Sequence, residues 1–75
     1  MKELCHQFGK IVRNFREQNG WSQELLADRA GLNRSYLGEI ERGTVVPSLA
    51  TIAKISKAFQ KPMTALIELC ETTSA

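Results

Sequence analysis

His6 is the only histidine of the chain, and its two cysteines, Cys5 and Cys70, stand near opposite ends. Neighbouring positions on a helix point about 100° apart, so Cys5 and His6 cannot face each other as nucleophile and base. No motif supports a Ser-His-Asp set. One histidine with two distant cysteines also falls short of the close ligand pairs of a structural zinc site. Gly31, Gly38 and Gly43 are scattered and form no loop that could cradle a phosphate. Neither catalysis nor a metal nor a cofactor is therefore expected. What remains is hydrogen-bonding chemistry. Arg34 can donate two parallel hydrogen bonds to adjacent acceptors such as O6 and N7 of guanine, a contact that discriminates by about 1–3 kcal/mol. Glu39 can accept from an exocyclic amine such as N4 of cytosine, and Ser35 can donate or accept.

Those three side chains act together only if one helix carries them on an exposed face. Leu4, Phe8, Ile11, Val12 and Phe15 follow a helical stripe that runs to about Gln18, and Asn19-Gly20 ends it. Ser22 is a good N-cap for a short second helix over 23–30, whose Glu24 suits the positive end of the helix dipole. Gly31 stops that helix, and Asn33 caps a third from Arg34 to about Arg42, with Leu37 and Ile40 inward and Gly43 at its end. Gly38 leaves the outward face of this helix shallow, so that a partner can approach closely.

After Pro47, Ser48 caps a fourth helix that buries Leu49, Ile52, Ala53, Ile55, Ser56 and Phe59. Pro62 opens a fifth helix, and residues 72–75 read as a frayed tail. The pattern is all-α: five short helices, no strand and one domain over residues 1–75. Helices two and three, about residues 22–43, are joined by a three-residue turn with Gly31 at its start. They form a helix-turn-helix, which holds its second helix where a major groove can receive it.

Composition and charge agree with a small globular domain. The 75 residues are 43% hydrophobic and 24% charged, enough apolar content for one core and too short a chain for two. No apolar run approaches the 18 or more residues of a membrane span, and residues 1–15 lack the apolar region of a secretory signal. A cytoplasmic location with both cysteines as free, semi-buried thiols is expected. The net charge of +2 is uneven: +2 over residues 1–19, −1 over 20–43, +3 over 44–61 and −2 over 62–75. Basic flanks of this kind accommodate a polyanion. Lys10, Arg13, Lys54 and Lys57 are the candidates for contacts that do not depend on sequence.

Trp21-Ser22-Gln23-Glu24-Leu25-Leu26-Ala27, Ala30-Gly31-Leu32-Asn33-Arg34-Ser35-Tyr36-Leu37, Ile40-Glu41-Arg42-Gly43 and Pro47-Ser48-Leu49 occur in that order. Together they resemble the phage Cro/repressor-like (XRE-type) helix-turn-helix family, over roughly residues 8–69. The resemblance implies a compact five-helix repressor-type domain that binds a palindromic operator in double-stranded DNA as a homodimer and regulates transcription. It implies base-reading roles for Arg34, Ser35 and Glu39. Phosphate contacts fall to Gln23, Tyr36, Arg42 and Thr44, and a structural pair to Arg16 and Glu41. Within the family, the stretch from Asn33 to Gly43 most resembles the controller proteins of restriction–modification systems; prophage repressors and antitoxin-type regulators look similar. An antitoxin-type module would have another protein as its main partner. RNA polymerase is a further candidate partner, and no small-molecule ligand is expected. The chain departs from many family members at Thr44-Val45-Val46, where they carry basic or polar residues.

The fifth helix holds more apolar residues than one face of a small bundle absorbs. Met63, Leu66, Ile67 and Cys70, within a region of about 62–71, are expected to form a dimer interface, since two-fold dimers are the commonest soluble oligomers.

Overall fold

The computed structural model describes residues 2–73. Five helices follow one another: α1 Lys2–Gln18, α2 Gln23–Ala30, α3 Arg34–Arg42, α4 Leu49–Ala58 and α5 Met63–Thr73. Among the described residues there is no strand. The helix starts lie where their capping residues put them. Ser22 Oγ accepts from the Leu25 amide at 3.1 Å, and Asn33 Oδ1 accepts from the Ser35 and Tyr36 amides at 2.8 and 3.3 Å. Ser48 Oγ takes the Thr51 amide at 3.1 Å. Each cap satisfies a backbone donor that the helix itself leaves open and contributes about 1 kcal/mol. Gly31 and Gly43 close α2 and α3 in the left-handed region, at φ 68° and 76°.

A single core joins all five helices. Val12 from α1, Leu26 from α2, Leu37 and Ile40 from α3, Ile55 from α4 and Leu66 from α5 are almost wholly buried there. Phe59, at the end of α4, stacks on Trp21 with ring centroids 5.6 Å apart and also meets Phe15 at 5.5 Å. That aromatic cluster fastens the α1–α2 turn to the end of α4. Trp21 is thus a packing residue rather than one displayed for stacking on a base.

Several expectations are corrected here. Leu66 and Cys70 belong to the core of the protomer, at 0 and 3% exposure, because α5 turns that stripe toward its own bundle; they are not left over for a partner. Leu49 was expected to be buried but is 71% exposed, since the first residue of α4 lies beyond the edge of the core. Leu4 likewise lies at the open end of the α1 stripe, 43% exposed. Both cysteines are fully buried and neither forms a disulfide. Helix α5 runs to Thr73, two residues into the segment read as a tail, and Ser74 and Ala75 lie outside the described residues.

Helix α1 crosses α3 unusually closely. A Cβ built on Gly9 would stand 2.5 Å from the carbonyl oxygens of Ile40 and Glu41, and one on Gly43 would stand 2.8 Å from the His6 Cα. Backbone therefore meets backbone on both sides of the crossing. In an exposed helix, glycine to alanine stabilises by about 1 kcal/mol. Gly9→Ala should instead destabilise by about 1–3 kcal/mol, the usual cost of forcing extra volume into a packed site. Urea unfolding of the two proteins measures this, and an increase in stability would contradict the close crossing.

Candidate nucleic-acid interface

The turn between α2 and α3 is held tight by its backbone hydrogen bonds. Gly31 and Leu32 donate back to Asp28 and Ala27 at 3.2 and 2.8 Å, and Asn33 then caps α3. Leu32 packs partly into the core, which fixes the angle between the two helices.

On α3, Leu37 and Ile40 point inward. The 3.6-residue repeat therefore turns Arg34, Gly38 and Arg42 outward as one row, with Ser35 and Glu39 as the row beside it. Arg34 and Ser35 are exposed and Glu39 is half-buried. Because Asn33 supplies the capping oxygen, neither the Arg34 guanidinium nor the Ser35 hydroxyl is engaged within the described residues. An arginine in the first turn of a helix opposes the dipole, so this placement gains nothing for the free protein.

Glu41, two helical turns after Arg34, lies between the outward row and the buried Leu37, and it joins three helices. Arg16 of α1 donates to its carboxylate through Nε at 2.7 Å and Nη2 at 3.1 Å, and through Nη1 to the Trp21 carbonyl at 2.9 Å. Gln23, the first residue of α2, donates from Nε2 to Glu41 Oε1 at 2.9 Å. The Arg16 and Glu41 side chains are only 13 and 4% exposed. The hydrogen bond to Glu41 holds the Arg16 guanidinium above its ordinary pKa, against the cost of burial. A raised basic pKa means a contribution that is complete below the unfolded value and lost only as pH climbs through the folded one. The pair therefore persists at any pH where an arginine stays charged.

Gln23 thus has a structural partner as well as a half-buried position at the start of α2. One N–H of its side-chain amide serves Glu41, and the second is available. The Ser22 cap takes the Leu25 amide, so the backbone N–H groups of Gln23 and Glu24 point outward at a positive helix end, the geometry that receives anions.

Other expected residues lie around this centre. Thr44 Oγ1 donates to the Glu39 carbonyl at 3.2 Å and so closes the end of α3. Tyr36 faces α4, its hydroxyl 3.5 Å from Thr51 Oγ1, which in turn lies 3.1 Å from Ser48 Oγ. This hydroxyl cluster at the start of α4 was not singled out from sequence, although Ser48 as a cap with Thr51 three residues on was the available signal. Of the basic flanks, Arg13 pairs with Glu17 at 3.1 Å on the surface, while Lys10, Lys54 and Lys57 are exposed. Gly38 does not open the face to a partner as expected. The Arg42 guanidinium covers it, with Nη1 3.2 Å from where a Cβ would stand.

Residues 12–66 match the helix-turn-helix family HTH_3. The chain belongs to that family. It is 50% identical over 53 residues to the control protein C.BamHI of Bacillus amyloliquefaciens, spanning 69% of this chain and 65% of that one. It is 33% identical over 67 residues to the HTH-type transcriptional regulator SutR of Escherichia coli, spanning 89% of this chain. Only 38% of SutR is spanned, so the match is to about two fifths of that relative's length. The crystal structure of the restriction–modification controller protein C.AhdI from Aeromonas hydrophila superposes with a TM-score of 0.80 at 40% identity, covering 83% of this chain and 94% of that one. The superposition shows that the all-α fold is shared with C.AhdI.

Glu41→Ala would leave Arg16 buried without its counter-charge and should cost about 3–5 kcal/mol of stability. The double change Arg16→Met with Glu41→Leu should cost less than Glu41→Ala alone, because no buried charge is then left unpaired. Chemical denaturation of the three proteins checks this; a double variant as damaged as the single one would mean that the shape of the pair matters more than its charge.

Proposed function

We propose that the chain is a sequence-specific DNA-binding transcriptional regulator that reads a palindromic operator as a homodimer. The observation that carries this reading is the outward row of α3, where Arg34 and Ser35 stand exposed and unengaged beside the open N-terminus of α2. Arg34, Ser35 and Glu39 would contact base edges. Gln23, Arg42 and the α2 N-terminus would hold phosphates on one side of the groove, and Tyr36 and Thr44 would border the backbone toward α4. The similarity to C.BamHI and C.AhdI supports control of restriction–modification genes as the biological setting. Operator position relative to the promoter would decide whether bound protein blocks RNA polymerase or recruits it.

The homodimer reading rests on an apolar groove between the start of α1, the loop after α3 and α5. Its lining includes Leu4, Val46, Pro47, Ile52 and Ile67. Val46 in its lining is 63% exposed, Leu49 at the start of α4 is 71% exposed, and Ile67 and Leu69 are 37 and 41% exposed on α5. Of the residues assigned to the interface from sequence, Ile67 remains in this surface, and Met63 is half-buried. A second copy of the chain is the occupant that suits it, since the groove lies three residues beyond Gly43 and a two-fold contact there would set the spacing of two recognition helices.

Selection from a random duplex library at about 0.15 M salt, where non-specific binding is screened, should recover a palindrome with half-sites about 10 base pairs apart. Arg34→Ala should then cost about 1–3 kcal/mol on that operator and nothing on random duplex, whereas Gln23→Ala should weaken both alike. Val46→Glu should convert a sedimenting dimer to a monomer. Recovery of no sequence, together with a monomeric wild type, would favour a different protein as the main partner.

A further inference from the structure

Gly38 occupies the middle of α3, a helix of only nine residues, where glycine is the least favourable residue after proline. Neither a turn nor a left-handed backbone requires it. It lies on the outward row between Arg34 and Arg42, and yet it is buried. The covering group is the Arg42 guanidinium, with Nη1 3.2 Å and Cζ 4.0 Å from where a Cβ would stand. Gln23 Oε1 lies 3.9 Å from the same point. Arg42 reaches this position by folding back one helical turn along α3, and a methyl group at 38 would have to displace its guanidinium by a few tenths of an ångström.

The charge placed there is uncompensated. Glu41, the adjacent acid, gives its carboxylate to Arg16 and Gln23, and no hydrogen bond or ion pair engages Arg42 within the described residues. A cation and the side-chain amide of Gln23, the first residue of α2, therefore both stand beside Gly38 between α2 and α3. We propose that Gly38 is a positioning residue: by leaving a seat empty of side chain, it sets the Arg42 guanidinium beside Gln23 so that both engage a single phosphate of the bound duplex. This rests on the nucleic-acid reading above, and adds that glycine at 38 acts through Arg42 rather than by letting the duplex approach the helix.

The test is Gly38→Ala, alone and in an Arg42→Ala background. Alanine should raise the melting temperature by about 4–8 °C, as expected for removing glycine from the interior of a helix in a domain of this size. It should nevertheless weaken operator and random duplex by the same factor, about three- to tenfold, and lower the slope of log affinity against log salt by about 0.9 per protomer, the signature of one lost phosphate contact. In the Arg42→Ala background the substitution should have no effect on affinity. A loss that persists there would show that the methyl group meets the duplex directly and would overturn the proposal, as would unchanged affinity in the single variant. A readout without DNA separates this proposal from the reading beneath it: the Arg42 Nε–H resonance of the free protein should move in Gly38→Ala. A wild type that binds no duplex would sink the interface while that shift still reported the seat, and an unmoved resonance would sink the seat itself.

Discussion

One carboxylate sets the geometry on which the rest of the molecule depends. Glu41 receives Arg16 from α1 and Gln23 from α2 while belonging to α3, and Arg16 also reaches the Trp21 carbonyl in the turn between the first two helices. A buried ion pair is weak evidence of stability, because desolvation offsets much of its attraction. Its effect here is on orientation. Apolar packing of Leu26, Leu37 and Ile40 would tolerate some sliding of α2 on α3, whereas a two-pronged arginine and an amide on one carboxylate fix a single register.

That fixed register governs which polar groups remain for an outside partner. Glu41 neutralises Arg16 and occupies one donor of Gln23, and Asn33 satisfies the first amides of α3. Arg34, Ser35, Arg42 and the first amides of α2 are left unused. The surface is thus defined by subtraction: internal demands are met by Glu41, Asn33 and Ser22, and the groups left over lie side by side. A region with a net charge of −1 can in this way present a locally cationic face.

Much of this was legible in the residues. Ser22, Asn33 and Ser48 followed by helical periodicity, with Gly31 and Gly43 behind, located five helix boundaries, because caps and left-handed stops are local chemistry. The Arg16–Glu41 pair came from family resemblance, since a contact across 25 positions leaves no local mark. Periodicity failed where a helix is apolar on more than one side. It marked Leu66, Ile67 and Cys70 alike as surplus on α5, and only packing shows that Leu66 and Cys70 are buried while Ile67 is exposed. Leu49 failed for a related reason: a helical stripe does not reveal where the core ends. At Gly38 the absence of a side chain was read as open space, when a neighbour long enough to fold over it stood four residues away.

The close crossing of α1 over α3 at Gly9 and Gly43 also bears on how the molecule acquires its function. Helix α3 has nine residues, below the about 12–15 at which an isolated helix becomes even marginal in water. It is held by contacts to α1 from more than thirty positions earlier in the chain. Helix α3 therefore has no stability ahead of the fold, and its outward face belongs to the same cooperative unit as the core. A chain that has lost α1 keeps every residue of the candidate surface and loses the surface itself.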